Sequence, residues 1–136
     1  MTAGELNLMN GNLMDTNVIV RILNGDQTLV QQLLSYNNLC TCSIVLGELL
    51  YGAAKSTRSQ ENKDKAKAFC SHFNLLQVDE NVSEAYGTIK NELLKHGKVL
   101  PENDMWIAAT ALANDMAVIT QDKHFSEIPD LKIIKM

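Results

Sequence analysis

A chain of 136 residues is long enough for one domain with its own buried core, and 46% hydrophobic with 21% charged residues is ordinary for a globular protein. The net charge of −4 speaks against a partner gripped only through its phosphates, unless cations bound among clustered acids reverse the local sign. No apolar run approaches the roughly 18 residues of a membrane-spanning helix, and three cysteines make no disulfide framework.

Met1 to Gly11 is polar and carries Gly4 and Gly11, which predicts a loose N-terminal extension over 1–11 ahead of a single domain over 12–136. Met1 to Asn12 has neither the basic start nor the apolar stretch of a signal peptide, so a cytoplasmic address is expected. Leu13-Met14 reads as the first strand, and Val18, Ile19, Ile22 and Leu23 mark a helix after it. Leu39 to Thr41 is the second strand. Its C-x-C, Cys40 and Cys42, has no second pair or histidine cluster to complete a zinc site, so these thiols and Cys70 are expected to be buried and reduced. Ser43 is the expected cap of a helix carrying Leu46, Leu49, Leu50 and Ala53 at i, i+3, i+4 and i+7. The polar, lysine-rich stretch Gln60 to His72 predicts a surface helix, and Leu75 to Val78 a third strand. Val82, Tyr86, Ile89 and Leu93 mark a helix ended by Gly97. Pro101 opens a last helix, Glu102 to Asn114, before strands at Ala117 to Thr120 and Lys132 to Ile134. The strands are short and unalternated, as in a sheet covered on both faces. Their alternation with helices predicts an α/β fold with a mainly parallel sheet.

Four acids fall at one edge of such a sheet. Asp15 directly follows the first strand and Asp122 the fourth, so both belong at the carboxyl ends, where open α/β sheets bind ligands. Glu48 lies in the second turn of the helix after the second strand, about 200° around the wheel from Leu46 and pointing away from the core stripe. Asp104 sits in the first turn of the last helix, where the backbone dipole favours negative charge. Singly, each has a structural use as a cap, a solvated helix residue or a turn initiator. Together, four carboxylates at one edge repel by an amount on the order of several kcal/mol without a cation, and such clusters usually bind metal. An all-oxygen set favours Mg²⁺ or Mn²⁺ over zinc, and a cation so held suits phosphodiester hydrolysis.

These residues resemble the PIN-domain family, specifically the VapC-type toxins of bacterial toxin–antitoxin pairs. The matching stretches are Leu13-Met14-Asp15-Thr16-Asn17-Val18-Ile19, Gly47-Glu48-Leu49-Leu50-Tyr51-Gly52, Asn103-Asp104-Met105-Trp106-Ile107-Ala108-Ala109 and Thr120-Gln121-Asp122-Lys123-His124-Phe125, in matching order and spacing over Asn12 to Met136. The resemblance implies a PIN-like three-layer fold, with a mainly parallel five-stranded sheet of order 3-2-1-4-5 and helices on both faces. It implies a homodimer, an endoribonuclease dependent on Mg²⁺ or Mn²⁺ that acts on single-stranded or loop RNA, and a cognate VapB-type antitoxin. Asp15, Glu48, Asp104 and Asp122 fall on the family's acidic positions. Asp15 and Asp104 would be the main ligands, with Glu48 and Asp122 completing the cluster directly or through water. Asn17 and Thr120 sit where the family often has polar support. Residues 1–11 depart from the family, which usually starts just before the first strand.

Arg21, Lys55, Arg58, Lys98, Lys123 and His124 are candidates to line an RNA path, against the plainer reading of solvated surface charges; Arg21, Lys98 and Lys123 are the expected RNA-binding set. His124 is also a candidate proton shuttle, and Trp106 a base-stacking platform, although its apolar neighbours favour packing. Competing functions are a phosphatase with Asp15 as nucleophile, disfavoured because Asn17 stands where a second acid is wanted, a catalytically silent RNA-binding PIN module, and a PIN RNA-processing nuclease without an antitoxin.

Overall fold

Five parallel strands form one sheet in the order β3-β2-β1-β4-β5 in the computed structural model, which describes residues 9–136. The strands are β1 (Gly11–Met14), β2 (Leu39–Cys42), β3 (Asn74–Leu76), β4 (Met116–Thr120) and β5 (Ile133–Lys135). Every residue of β1 and β4 is buried, so both faces of the sheet centre are covered, as their continuous apolar runs require. The helices are α1 (Thr16–Leu23), α2 (Gln27–Leu33), α3 (Ser43–Ala54), α4 (Ser59–Cys70), α5 (Glu80–Lys95) and α6 (Glu102–Ala113), with a 3-10 turn at Lys123–Glu127. Helix α5 packs on α6, and α3 on α4 and α1. No helix of the described residues is long and apolar enough to cross a membrane. The expected α/β fold and strand order are therefore present, with the sheet parallel throughout.

The differences from the sequence reading have local causes. Strand β1 starts at Gly11, inside the stretch read as an extension; a Cβ there would stand 2.5 Å from Asn38 Nδ2 and 2.7 Å from its carbonyl oxygen, so only glycine fits beside that turn. Met1 to Leu8 of that extension lie outside the described residues. Helix α2 was not expected, because its polar sequence buries only Leu29 and Leu33; Asp26 caps it by accepting from Leu29 N–H at 3.0 Å. Ser43 is not a cap. Strand β2 runs one residue further, Cys42 takes the cap position, and the Ser43 hydroxyl turns to the Leu76 carbonyl oxygen at 3.4 Å. The buried stripe of α3 is Val45, Leu49 and Ala53, with Leu46 and Leu50 half-buried beside it. That rotation moves Glu48 from the far side of the helix to the flank of the core.

Helix α3 also holds Gly47 and Gly52, and a Cβ at either would meet nothing within 4 Å. Glycine inside a helix costs about 0.5–1 kcal/mol relative to alanine. Gly47→Ala and Gly52→Ala should each raise the stability of the chain by about that amount, seen as a higher denaturant midpoint at unchanged slope. A fall in the midpoint would mean that the fold itself uses the bare backbone.

Candidate functional site

Strand order reverses between β1 and β4, and the crevice at their carboxyl ends is the ligand position of an open parallel sheet. Asp15 directly follows β1 there and is 4% exposed. One carboxylate oxygen caps α1, accepting from Thr16 N–H at 2.8 Å, so the structural use weighed for it is real. The other accepts from the Thr120 hydroxyl at 2.7 Å, across the sheet from β4. The Thr120 hydroxyl in turn accepts from Asp122 N–H at 2.9 Å, and Asn17 Oδ1 accepts from Gln121 N–H at 3.3 Å. Asn17 and Thr120 thus tie the corner after β1 to the corner after β4.

Glu48, half-buried on α3, accepts a 2.6 Å hydrogen bond from the Thr16 hydroxyl. Thr16 is a site residue the sequence reading missed; its one signal was its place next to Asp15. Asp104 projects from the first turn of α6. Asp122 caps the 3-10 turn by accepting from His124 N–H at 2.9 Å. That turn brings His124 Nδ1 to 3.1 Å from Asp122 and 3.7 Å from Asp104. One ligand atom each from Asp104, Asp122 and His124 lie within 4.8 Å of one another. The all-oxygen set expected from the sequence therefore has a nitrogen beside it, two residues past Asp122.

Asp15, Glu48, Asp104 and Asp122 line a single cleft of about 480 Å³. Its electrostatics are those of acids short of a counter-charge. Burial pushes the Asp104 carboxyl up to about 6, and the charges of Asp122, Asp15 and Glu48 push it the same way, opposed by His124. Burial also raises Asp15, against the hydrogen bonds from Thr120 and Thr16 that favour its charged form. Cys42, next to these acids, is no thiolate donor, since burial holds its thiol at about 11. Oxygen donors in a cleft that resists its own negative charge could hold a divalent cation.

The basic candidates spread further. Arg21 lines the cleft and pairs with Asp26. Lys123 is exposed beside Asp122, while Lys98 pairs with Glu127 at 2.6 Å and is not part of the cleft wall. Trp106 stacks face to face on Tyr86 at 3.8 Å, joining α6 to α5, so its role is packing. Cys40, Cys42 and Cys70 are buried free thiols.

Comparison with known proteins agrees with this fold. The family model of the PIN domain matches residues 13–131. Ribonuclease VapC2 of Rickettsia felis is 32% identical over 124 residues, covering 88% of this chain and 92% of the relative. Among solved structures, DNA-bound VapBC from Salmonella typhimurium contains a chain that superposes with a TM-score of 0.85 at 30% identity, covering 93% of this chain and 98% of that one. VapBC2 from Rickettsia felis bound to a promoter DNA fragment gives a TM-score of 0.83 at 28% identity, covering 92% and 98%.

Proposed function

Because the chain belongs to the PIN-domain family, we propose that it is a metal-dependent endoribonuclease acting as the toxin of a toxin–antitoxin pair. The observation that carries this is the meeting of four carboxylates, from four separate segments, in one cleft at the carboxyl edge of the sheet. A silent RNA-binding module would have no use for all four acids. Asp15 and Asp104 would hold the cation, with Glu48 and Asp122 completing its surroundings. A divalent cation, Mg²⁺ or Mn²⁺, supplies a Lewis acid for a phosphoryl oxygen and lowers the pKa of an attacking water. The chain's own residues set the stage for that chemistry. Thr16 and Thr120 fix both oxygens of Asp15, and the Thr16 hydroxyl aims Glu48 into the cleft, so little reorganisation is needed when substrate arrives. His124, within reach of Asp122 and Asp104, can hold a proton at Nδ1. Arg21 and Lys123 border the phosphate path; Lys98 joins it only by leaving Glu127. The protein works as a homodimer in the cytoplasm, where its RNA substrate and antitoxin are found.

An acidic cleft invites a basic inhibitor. The antitoxin neutralises it by placing an Arg or Lys among the carboxylates and an amphipathic helix along an apolar rim. Such a rim exists. A groove of about 330 Å³ between α1, α3 and α4 has Val20, Leu23, Leu49 and Ala53 along it, with Asn24, Asn62 and Lys65 at its polar margin, and meets the cleft at Glu48. Val20 and Leu23 are 41% and 39% exposed, with no partner among the described residues to bury them further. The neighbouring small gene product, co-expressed, should copurify and suppress growth arrest, and Leu23→Glu should release it while leaving RNA cleavage intact. A neighbour that neither binds nor protects would remove the toxin assignment and leave an RNA-processing nuclease of the same chemistry.

A further inference from the structure

On the other side of Glu48 lies a groove of different character. It holds about 560 Å³ and is lined by Thr16, Gly47, Glu48, Tyr51, Gly52 and Lys55, among others. Thr16 and Glu48 also line the acidic cleft, so the two depressions run into each other around the Glu48 carboxylate. At 100° per residue, Glu48 and Tyr51 of α3 and Lys55 at its C-cap fall within about 60° around the helix. Tyr51 stands about 4.5 Å along the axis past Glu48, comparable to the roughly 3.4 Å step between stacked bases.

Tyr51 is 68% exposed, and it is the only exposed Phe, Tyr or Trp among the described residues. Lys55 holds its ammonium 4.9 Å from the ring centroid. A ring left in water beside a cation is a pair suited to a nucleotide: the base stacks on the ring and the phosphate meets the ammonium. The cation also answers a need. A chain of net charge −4 with an acidic cleft repels phosphates, and Lys55 offsets that repulsion where the strand must approach. The two glycines fit as well, because each is unfavourable in the helix and neither makes room for anything inside the fold. Their bare backbone leaves the floor open to a flat ligand.

We propose that this groove is the subsite for a nucleotide next to the scissile phosphate, its base stacked on Tyr51 and its phosphate paired with Lys55. This rests on the ribonuclease reading above and adds to it a site for single-stranded substrate outside the carboxylate cluster. Stacking tolerates any base, so the subsite selects unpaired RNA rather than a sequence.

The test measures binding and turnover separately. Fluorescence anisotropy with a labelled single-stranded oligoribonucleotide follows binding to an Asp15→Asn protein, alone and combined with Tyr51→Ala, Tyr51→Phe or Lys55→Met. Tyr51→Ala should weaken binding about 5- to 100-fold, and Tyr51→Phe should stay within about twofold of the parent. Lys55→Met should lower the slope of log K against log salt by about 0.7, the loss of one single-strand phosphate contact. In the otherwise unsubstituted enzyme, Tyr51→Ala should raise KM by a similar factor and leave kcat within about twofold, since the ring does not touch the reacting atoms. Unchanged binding in Tyr51→Ala, or failure of Tyr51→Phe to restore it, overturns the proposal. So does a Tyr51→Ala protein that binds RNA normally but loosens its homodimer or antitoxin complex, which would make the groove a protein interface. A wild-type protein that cuts no RNA with Mg²⁺ or Mn²⁺ overturns the ribonuclease reading itself; one that cuts RNA as well as its Tyr51→Ala variant overturns only the subsite.

Discussion

Asp15→Asn will reduce RNA cleavage by more than about 10³-fold, roughly 4 kcal/mol of barrier, while the protein stays folded. The loss follows from charge. Asp15 is the most buried of the four acids, and both its oxygens are already oriented by Thr16 and Thr120, so its negative charge is fixed where a cation would sit. An asparagine keeps the shape and one acceptor but presents an NH2 group in place of the second oxygen and no charge. The fold survives because burial opposes the charge of Asp15 in any case, and the Thr120 hydroxyl can turn to accept from the new amide. Chelation of divalent ions should silence the wild type to the same degree, and added Mg²⁺ or Mn²⁺ should restore it but not rescue Asp15→Asn. The measurement is cleavage of a single-stranded RNA by purified protein, with a thermal melt to confirm folding. Undiminished cleavage by a folded Asp15→Asn protein would remove Asp15 from the active site.

The legible parts of this molecule are those encoded by short-range pattern. Asp15 and Asp122 were readable because each directly follows a continuous apolar run, and a parallel sheet delivers both to one edge. Asp104 was readable from Pro101 and the alanine-rich helix after it. What was not legible depends on distance in sequence or on a balance too close for pattern to decide. The hydrogen bond from Thr16 to Glu48 spans 32 residues, and nothing in either motif announces it. The buried stripe of α3 was misplaced because Val45, Leu46, Leu49 and Leu50 are all apolar; contact with α1 and α4 decides which of them faces inward, and with it how far Glu48 leans into the cleft. His124 was weighed for the RNA path and as a proton shuttle but not as part of the ligand set, because the all-oxygen argument counted the acids alone; the 3-10 turn after Asp122 folds it back onto Asp104. Tyr51 sat in plain view within a matching motif, but exposure is a property of the packed molecule and not of the residue.

Removing an acid from the cleft should make the metal-free protein more stable, and Asp104 is where the effect should be largest. Its side chain is only 15% exposed, and burial with three neighbouring acids holds its carboxyl at about 6, against 3.8 in the absence of the fold. Each unit of such a shift corresponds to about 1.4 kcal/mol, so ionised Asp104 costs the folded state up to about 3 kcal/mol at neutral pH. Asp104→Asn keeps the shape and loses the charge, and a net gain of about 1–2 kcal/mol is expected, or roughly 3–8 °C in Tm. The pH dependence has a definite sign. Below 3.8 the group is protonated in both the folded and unfolded chain and contributes nothing. Between 3.8 and about 6 the folded state holds the extra proton, so stability falls as pH rises, and above about 6 the full cost is present. The advantage of Asp104→Asn should therefore be complete at pH 7 and gone by about pH 4. Divalent cation acts in the opposite direction. It binds the folded cluster and should stabilise the wild type by RT ln(1 + [L]/Kd), about 2.7 kcal/mol at a hundredfold excess over Kd, and Asp104→Asn should lose most of that shift. Thermal melts of the two proteins at pH 7 and pH 4, each with chelator and with Mg²⁺ or Mn²⁺, give the crossover: the variant melts higher without metal and gains little from it. If Asp104→Asn melts lower than the wild type in chelator and is stabilised equally by the cation, the four acids do not share a metal site.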